Sequence, residues 1–231
     1  MGSSEAPEDP VVVVVDLQRD FIDPEVQSDA CSLEKAFCIP GVRRLLTHAR
    51  TMGWPVVHVG TGHADRETLP AHQRRSGREA YCVTGSRGHE FVVEPEGLDI
   101  GIYKRWYSAF DSDLESLLAG RKTVVWAGIA TDCCIQQSVF EADRLDIRSI
   151  VPIECVSASS RDSFAWSLAS MSKSAGEVVN LDRLLEKADD YAALPDGEVK
   201  DAAEMWFKQQ ETKMNGKQGL TLEDLLHRLE Q

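Results

Sequence analysis

Three side chains in this sequence have types and positions that suit covalent chemistry at a carbonyl carbon. Asp16 closes the run Val-Val-Asp-Leu-Gln-Arg-Asp-Phe, Lys104 stands in Gly-Ile-Tyr-Lys-Arg-Trp-Tyr-Ser-Ala-Phe, and Cys134 stands in Gly-Ile-Ala-Thr-Asp-Cys-Cys-Ile. Each follows a stretch that reads as a β-strand, and open α/β sheets bind ligands beyond the carboxyl ends of their strands. A free thiol near pKa ~8.5 is mostly protonated at neutral pH, and a helix N-terminus with a neighbouring ammonium is expected to lower that value. Asp16 would take the thiol proton and return it to a leaving amine. Backbone N–H groups at the start of the helix carrying Cys134 would face the developing oxyanion. The chemistry is acyl transfer to sulfur, followed by hydrolysis. Taken singly, each residue has a plainer use. An Asp after a strand is commonly a cap or turn residue, a Lys beside aromatic residues keeps a solvated head on a buried stem, and a Cys at an apolar helix start is often inert core. Their shared place at strand ends singles them out.

The elements that must position these residues are legible as an alternation. Residues 11–16 form a continuous β-branched run ending in an acid, the pattern of a strand buried on both faces of a parallel sheet. Residues 33–52, with Val42, Leu45, Leu46 and Ala49 on one face, predict a helix that ends at Gly53. Further strands are predicted at 55–59, 99–103, 123–127, 147–152 and 177–180, and helices at 111–118, 132–145, 162–172 and 181–187. This predicts an α/β fold, a three-layer α/β/α sandwich with a mostly parallel sheet covered on both faces, and a C-terminal helical extension. Residues 61–95 break the rhythm with Gly, Ser, Arg and His, and a loop of that length is expected to wall or cover a site. The domain reading is a flexible N-terminus at 1–9, a hydrolase domain at 10–188 and an acidic helical extension at 189–231. That extension offers amphipathic helices at 199–213 and 221–231, the second opened by the capping pair Thr221 and Asp224, and either packs on the core or clasps a second subunit.

Composition narrows the classes of function. The chain has 231 residues, 42% hydrophobic and 27% charged, values ordinary for a globular protein. Its longest apolar run, Val11–Val15, is far short of the ~20 residues that span a bilayer, and residues 1–10 carry acids and prolines where an export signal would be basic and then apolar. A net charge of −13, with no segregated basic patch, argues against nucleic acid as partner. Six cysteines without zinc spacing are expected to be reduced thiols, placing the protein in the cytoplasm.

Around the three reactive residues, Phe21, Arg105, Trp106, Tyr107 and Phe110 are expected to supply an apolar wall and a carboxylate-binding cation, with Trp106 and Phe110 equally suited to the core. Arg74, Arg75 and Arg78 of the long loop suit recruitment of an acidic substrate or simple solvation. The ordered motifs Val-Asp-Leu-Gln-Arg-Asp-Phe, Lys-x-x-Tyr-Ser-Ala-Phe followed by Ser112-Asp113-Leu114, and Ala-Gly-Ile-Ala-Thr-Asp-x-Cys resemble the isochorismatase-like cysteine hydrolases, over roughly residues 10–188. That superfamily includes nicotinamidases, N-carbamoylsarcosine amidohydrolases, ureidoacrylate amidohydrolases and isochorismatases. The resemblance implies a Rossmann-like three-layer α/β/α sandwich and a triad in which Asp16 is the proton shuttle, Lys104 the electrostatic partner and Cys134 the nucleophile. It implies a cis peptide at Ile129-Ala130 that aims the N–H groups of Cys133 and Cys134 at one oxyanion. Cys133 falls on the variable position of the motif and is assigned to structure. It also implies a homo-oligomer whose sites are built partly from a neighbouring subunit.

Departures from the family pattern bear on the substrate. Nicotinamidases carry an Asp-x-His, with a further His six residues on, that binds a metal. This chain has Thr61-Gly62-His63 and then His72, so no metal is expected at the site and no cofactor is called for. The leading expectation is a cysteine amidohydrolase that cleaves a small amide, carbamoyl or ureido compound through a thioester and releases ammonia. One alternative is vinyl-ether hydrolysis of an isochorismate-like acid, with Asp16 as the acid and Cys134 dispensable. Another is an inactive binding or scaffold protein on the same fold.

Overall fold

The computed structural model describes residues 7–186, 192–214 and 219–231. A seven-stranded sheet runs in the order β3-β2-β1-β4-β5-β7, with β6 pairing to β4, and every strand pair is parallel. The strands are β1 (Val11–Val15), β2 (Val56–Thr61), β3 (Ile100–Lys104), β4 (Thr123–Ile129), β5 (Arg148–Pro152), β6 (Val156–Ser157) and β7 (Glu177–Val179). In chain order the helices are α1 (Arg19–Ile22), α2 (Ile39–Met52), α3 (Ala71–Arg75), α4 (Leu114–Leu118), α5 (Gln136–Arg144), α6 (Arg161–Ser174), α7 (Leu181–Glu186), α8 (Asp196–Met214) and α9 (Leu222–Leu229). The fold is thus the expected α/β type, a mostly parallel sheet flanked by helices. No described helix is long and apolar enough to cross a membrane.

The chain winds outward from β1 through β2 to β3, then returns to place β4 on the other side of β1 and continues to β5 and β7. Strand order therefore reverses between β1 and β4, and a crevice opens beyond their carboxyl ends. All five valines of β1 are buried, as a strand central to a two-sided sheet requires. Trp126 of β4 is completely buried, with its indole N–H donated to Ser149 Oγ at 2.9 Å. Gly128 has φ +107°, and a Cβ there would stand 2.0 Å from the Val15 carbonyl oxygen, so only glycine lets β4 lie against β1 at this point.

Several elements differ from the sequence expectation. The helix expected over 33–52 is two pieces: a 3₁₀ segment, Leu33–Cys38, and then α2, which starts where Pro40 can occupy the first turn without needing its missing N–H. The segment expected as helix over 132–145 opens with a wide π-type turn at Thr131–Ile135 before α5 begins. The strand β6 carried no legible signal, being two residues long. Residues 61–95 hold α3 and two 3₁₀ turns, Arg66–Thr68 and Arg87–His89, rather than irregular chain alone.

The C-terminal helices pack on the core of the α/β domain. Phe207 of α8 is fully buried, its ring 5.2 Å from Phe37 and 5.3 Å from Phe164, and Val199 and Ala203 join the same core cluster. Leu222, Leu225 and Leu229 of α9 are also buried, while Arg161 pairs with Glu211 and Arg43 with Glu230 across the seam. Residues 1–6, 187–191 and 215–218 lie outside the described residues, and with them most of the N-terminus expected at 1–9, the last residue of the helix expected over 181–187 and the boundary expected at 188/189.

Candidate active site

Asp16 is the first residue after β1 and sits at φ +55°, a left-handed conformation that Asp tolerates better than most side chains. It is 1% exposed. Its Oδ1 accepts a hydrogen bond from Thr61 Oγ1 at 2.9 Å, and its Oδ2 accepts one from Lys104 Nζ at 2.7 Å. Lys104, the last residue of β3, is also 1% exposed. Its ammonium donates further to Thr61 Oγ1 at 3.1 Å and to the Trp106 carbonyl at 3.1 Å, and lies 3.7 Å from Cys134 Sγ. Three oxygen acceptors use the three donors of the ammonium, so its contact with sulfur is chiefly electrostatic. The three residues singled out by sequence are therefore brought together, with one lysine head between carboxylate and thiol.

The supports are local. Gln18, fully buried, donates from Nε2 to the carbonyls of Thr61 and His89 at 2.9 and 2.8 Å, and its Oε1 accepts from the Thr61 N–H at 2.7 Å. This ties the end of β1 to the end of β2 and fixes Thr61 beside the ion pair. Asp111 Oδ2 accepts from the backbone N–H groups of Arg105 and Trp106 at 3.1 and 2.9 Å, holding the turn that follows Lys104. Ser138 donates to the Cys134 carbonyl at 2.6 Å and accepts from the Ala109 N–H at 2.8 Å, which fastens the cysteine turn to the segment after β3.

Burial alone would lower the proton affinity of Lys104, but the adjoining Asp16 carboxylate and the facing thiols outweigh it, and the Lys104 pKa is raised. The lysine is a permanent cation. For Cys134 the expectation of a lowered pKa is overturned. Its contact with the Cys133 thiol, its burial and the Asp16 carboxylate all push it well above the ordinary thiol range, and Lys104 offsets only part of this. The resting residue is thus a thiol that must be deprotonated during attack.

These groups form the floor of a cavity of about 260 Å³. Phe21, Arg105, Trp106 and Tyr107 line it as expected, together with Ile129, Ala130 and Cys133. Phe110 does not: its ring packs edge-on against Trp126, 6.0 Å between centroids, because the turn after Tyr107 directs it back under the sheet. Cys133, assigned from sequence to structure alone, lines the cavity and touches Cys134. The Ile129–Ala130 peptide is cis. The expected pairing of the Cys133 and Cys134 N–H groups at an oxyanion meets an obstacle, since the Cys133 N–H is already donated to the Ala130 carbonyl at 3.0 Å.

Sequence reasoning missed most of the wall. Lys35, Gln73, Tyr81 and Asp132 line the cavity, as does Thr61, whereas Arg78, which also lines it, is one of the three loop arginines that the sequence suits to an acidic substrate or to solvation. Tyr81 donates to Gln73 Oε1 at 2.7 Å, and Gln73 Nε2 reaches the Tyr107 hydroxyl at 3.2 Å, which links the long loop to the segment after β3. Lys35, Gln73, Arg78 and Tyr81 come from a 3₁₀ turn and from residues 61–95, where no periodicity marked them. Arg74 instead donates to the carbonyls of Glu67 and Leu69 and serves the loop itself.

The donor set does not suit a metal. His63 is buried against Tyr81, their ring centroids 5.2 Å apart, and Thr61 stands where the nicotinamidase pattern has a carboxylate. His72 is exposed on α3. Among the described residues no group of three or more His, Cys, Asp and Glu is placed to hold a metal ion.

A parallel α/β sheet that brings an acid, a lysine and a cysteine to its switch point defines a class of hydrolase fold. The chain belongs to the isochorismatase family of hydrolases: residues 10–183 match the Isochorismatase domain. A probable inactive nicotinamidase of Arabidopsis thaliana is 32% identical over 152 residues, which cover 62% of this chain and 76% of that protein. An isochorismatase family protein from Desulfovibrio vulgaris is 27% identical, with a TM-score of 0.71 over 76% of this chain and 96% of its own. Two more distant structures share the fold. The pyrazinamidase of Pyrococcus horikoshii in complex with zinc is 22% identical, with a TM-score of 0.66 over 75% and 99% of the two chains. A cysteine hydrolase from Pseudomonas syringae is 18% identical, with a TM-score of 0.70 over 88% and 100%.

Proposed function

We propose that the protein is a cysteine amidohydrolase that cleaves a C–N bond of a small amide, carbamoyl or ureido compound. The observation that carries this reading is the Lys104 ammonium lying 2.7 Å from Asp16 and 3.7 Å from Cys134 on the floor of a cavity sized for a small molecule. Asp16 accepts the Cys134 proton as sulfur attacks the carbonyl carbon, since a thiol held above its ordinary pKa needs a base at the moment of attack. The C–N bond breaks as Asp16 returns that proton to nitrogen, and ammonia leaves. A thioester on Cys134 remains. Water then attacks the thioester, Asp16 takes a proton from the water, and the thiol is restored as the acid departs. Lys104 holds Asp16 in place through their 2.7 Å contact and stabilises the negative charge that passes through sulfur. The reading takes the enzyme as a cytoplasmic homo-oligomer.

Ammonia release from a panel of small amides, carbamoyl and ureido compounds, with wild type, Cys134→Ala and Asp16→Ala, tests the proposal. Release abolished by both substitutions is the expected result. Turnover of isochorismate that survives Cys134→Ala but not Asp16→Ala would replace the reading with vinyl-ether hydrolysis. Wild type that releases nothing from any compound would leave the inactive scaffold, a reading kept alive by the probable inactive nicotinamidase among the relatives.

A further inference from the structure

Once Asp16 and Lys104 have neutralised each other, the charged side chains lining the cavity are Lys35, Arg78 and Arg105 against Asp132 alone. Two of these cations are anchored side by side. Lys35 is 9% exposed, and its ammonium donates to the Ala30 carbonyl at 2.6 Å and lies over the Phe21 ring, 5.5 Å from its centroid. Arg78 donates to the carbonyl of the preceding residue, Asp29, at 3.1 Å and lies 5.5 Å over the ring of Tyr81. Consecutive carbonyls thus hold both heads on one wall, and neither head pairs with a carboxylate among the described residues.

A buried cation without a counter-ion is costly, and a second, half-buried one beside it adds to that cost. Burial, with Arg78 as a neighbour, lowers the proton affinity of Lys35, and Cys31, Asp132 and Cys134 only partly compensate. Asp132 is exposed and pairs with neither head, so it does not discharge the wall. Flat aromatic partners, one fixed carbonyl per cation and spare N–H donors aimed at the cavity are what an incoming anion needs.

We propose that Lys35 and Arg78 form a carboxylate-recognition site, so that the substrate is a small acid bearing its amide, carbamoyl or ureido group at the end remote from a carboxylate. This rests on the amidohydrolase reading for the scissile group but not for the anion. Arg105, on the exposed rim, adds to the attraction without being anchored in the wall. An uncharged aromatic amide would leave buried Lys35 and half-buried Arg78 without a counter-ion.

The test separates binding from turnover. Cys134→Ala protein is titrated calorimetrically with succinamate and with N-carbamoylglycine, each against its methyl ester, and then again with Lys35→Met or Arg78→Gln added. At least one acid is expected to bind tenfold or more tightly than its ester. Either added substitution is expected to cut that ratio by about tenfold, since each removes one charge-assisted contact, and Arg78→Lys to restore part of it. Equal binding of acids and esters, or an acid preference unmoved by both substitutions, would overturn the proposal. Ammonia release by the protein with Cys134 intact is read in parallel. Acid-selective binding without release overturns the amidohydrolase reading and leaves the anion site standing, whereas release that favours the esters does the reverse.

Discussion

The floor of the cavity comes from the ends of β1, β3 and β4, whereas its wall comes from the 3₁₀ segment Leu33–Cys38 and from residues 70–81, and the two hold charge differently. On the floor every charge is matched: Asp16 and Lys104 are both 1% exposed, pair at 2.7 Å and share Thr61. On the wall Lys35 and Arg78 face the cavity with carbonyls and rings for company but no acid. A self-neutral floor can be kept rigid for one reaction, since strand ends are fixed by the sheet. An unbalanced wall is unfinished until a ligand arrives, which is how a site stores selectivity at some cost in stability.

The largest expected effects fall on the floor. Asp16→Asn keeps the shape but removes the base, and kcat should fall about 10²- to 10⁴-fold with little change in KM, measured by ammonia release. Lys104→Met leaves a buried carboxylate unpaired. It should cost about 3–5 kcal/mol in urea-induced unfolding as well as activity, and unchanged stability would show that Asp16 is not held by that pair. Thr61→Val removes a hydroxyl that bonds both partners, and the buried groups left short should cost about 1–3 kcal/mol on the same measurement.

The wall should respond in the opposite sense. Lys35→Met is expected to stabilise the protein by about 1 kcal/mol at neutral pH while weakening the acid preference. The sign follows from its lowered pKa: between the folded value and the ordinary 10.5, the unfolded chain binds more protons, so wild-type stability rises with pH across that window. The advantage of Lys35→Met should therefore shrink as pH climbs toward 10.5, read from denaturant midpoints of both proteins. A destabilised Lys35→Met would erase the contrast between floor and wall.

The same contrast explains what the sequence disclosed. Asp16, Lys104 and Cys134 were legible because a buried strand announces itself by an apolar run and its carboxyl end is a defined place. Lys35 falls within the helix that the sequence predicts over 33–52, and the separate 3₁₀ turn that carries it before α2 leaves no signal in the apolar spacing. Gln73 and Tyr81 sit in a segment with no period, so nothing local says that they converge, and Arg78 is legible only as one of three loop arginines, of which it alone lines the cavity. Phe110 is equally suited by sequence to the site wall or to the core, and the structure sends it to the core against Trp126. The raised Cys134 pKa was hidden for another reason: a helix start and a lysine argue for lowering, while burial beside Asp16 and Cys133 is visible only in three dimensions.

The central claim is that sulfur of Cys134 carries the acyl group, with Asp16 moving the proton. The most direct measurement is intact-mass and peptide-mass analysis of protein quenched during turnover of a compound that releases ammonia. The account predicts an added mass equal to the acyl group, mapped to Cys134 and removed by hydroxylamine, with none on Cys133 and none in Cys134→Ala. Turnover at an undiminished rate in Cys134→Ala, or an adduct that maps to Cys133, would contradict it.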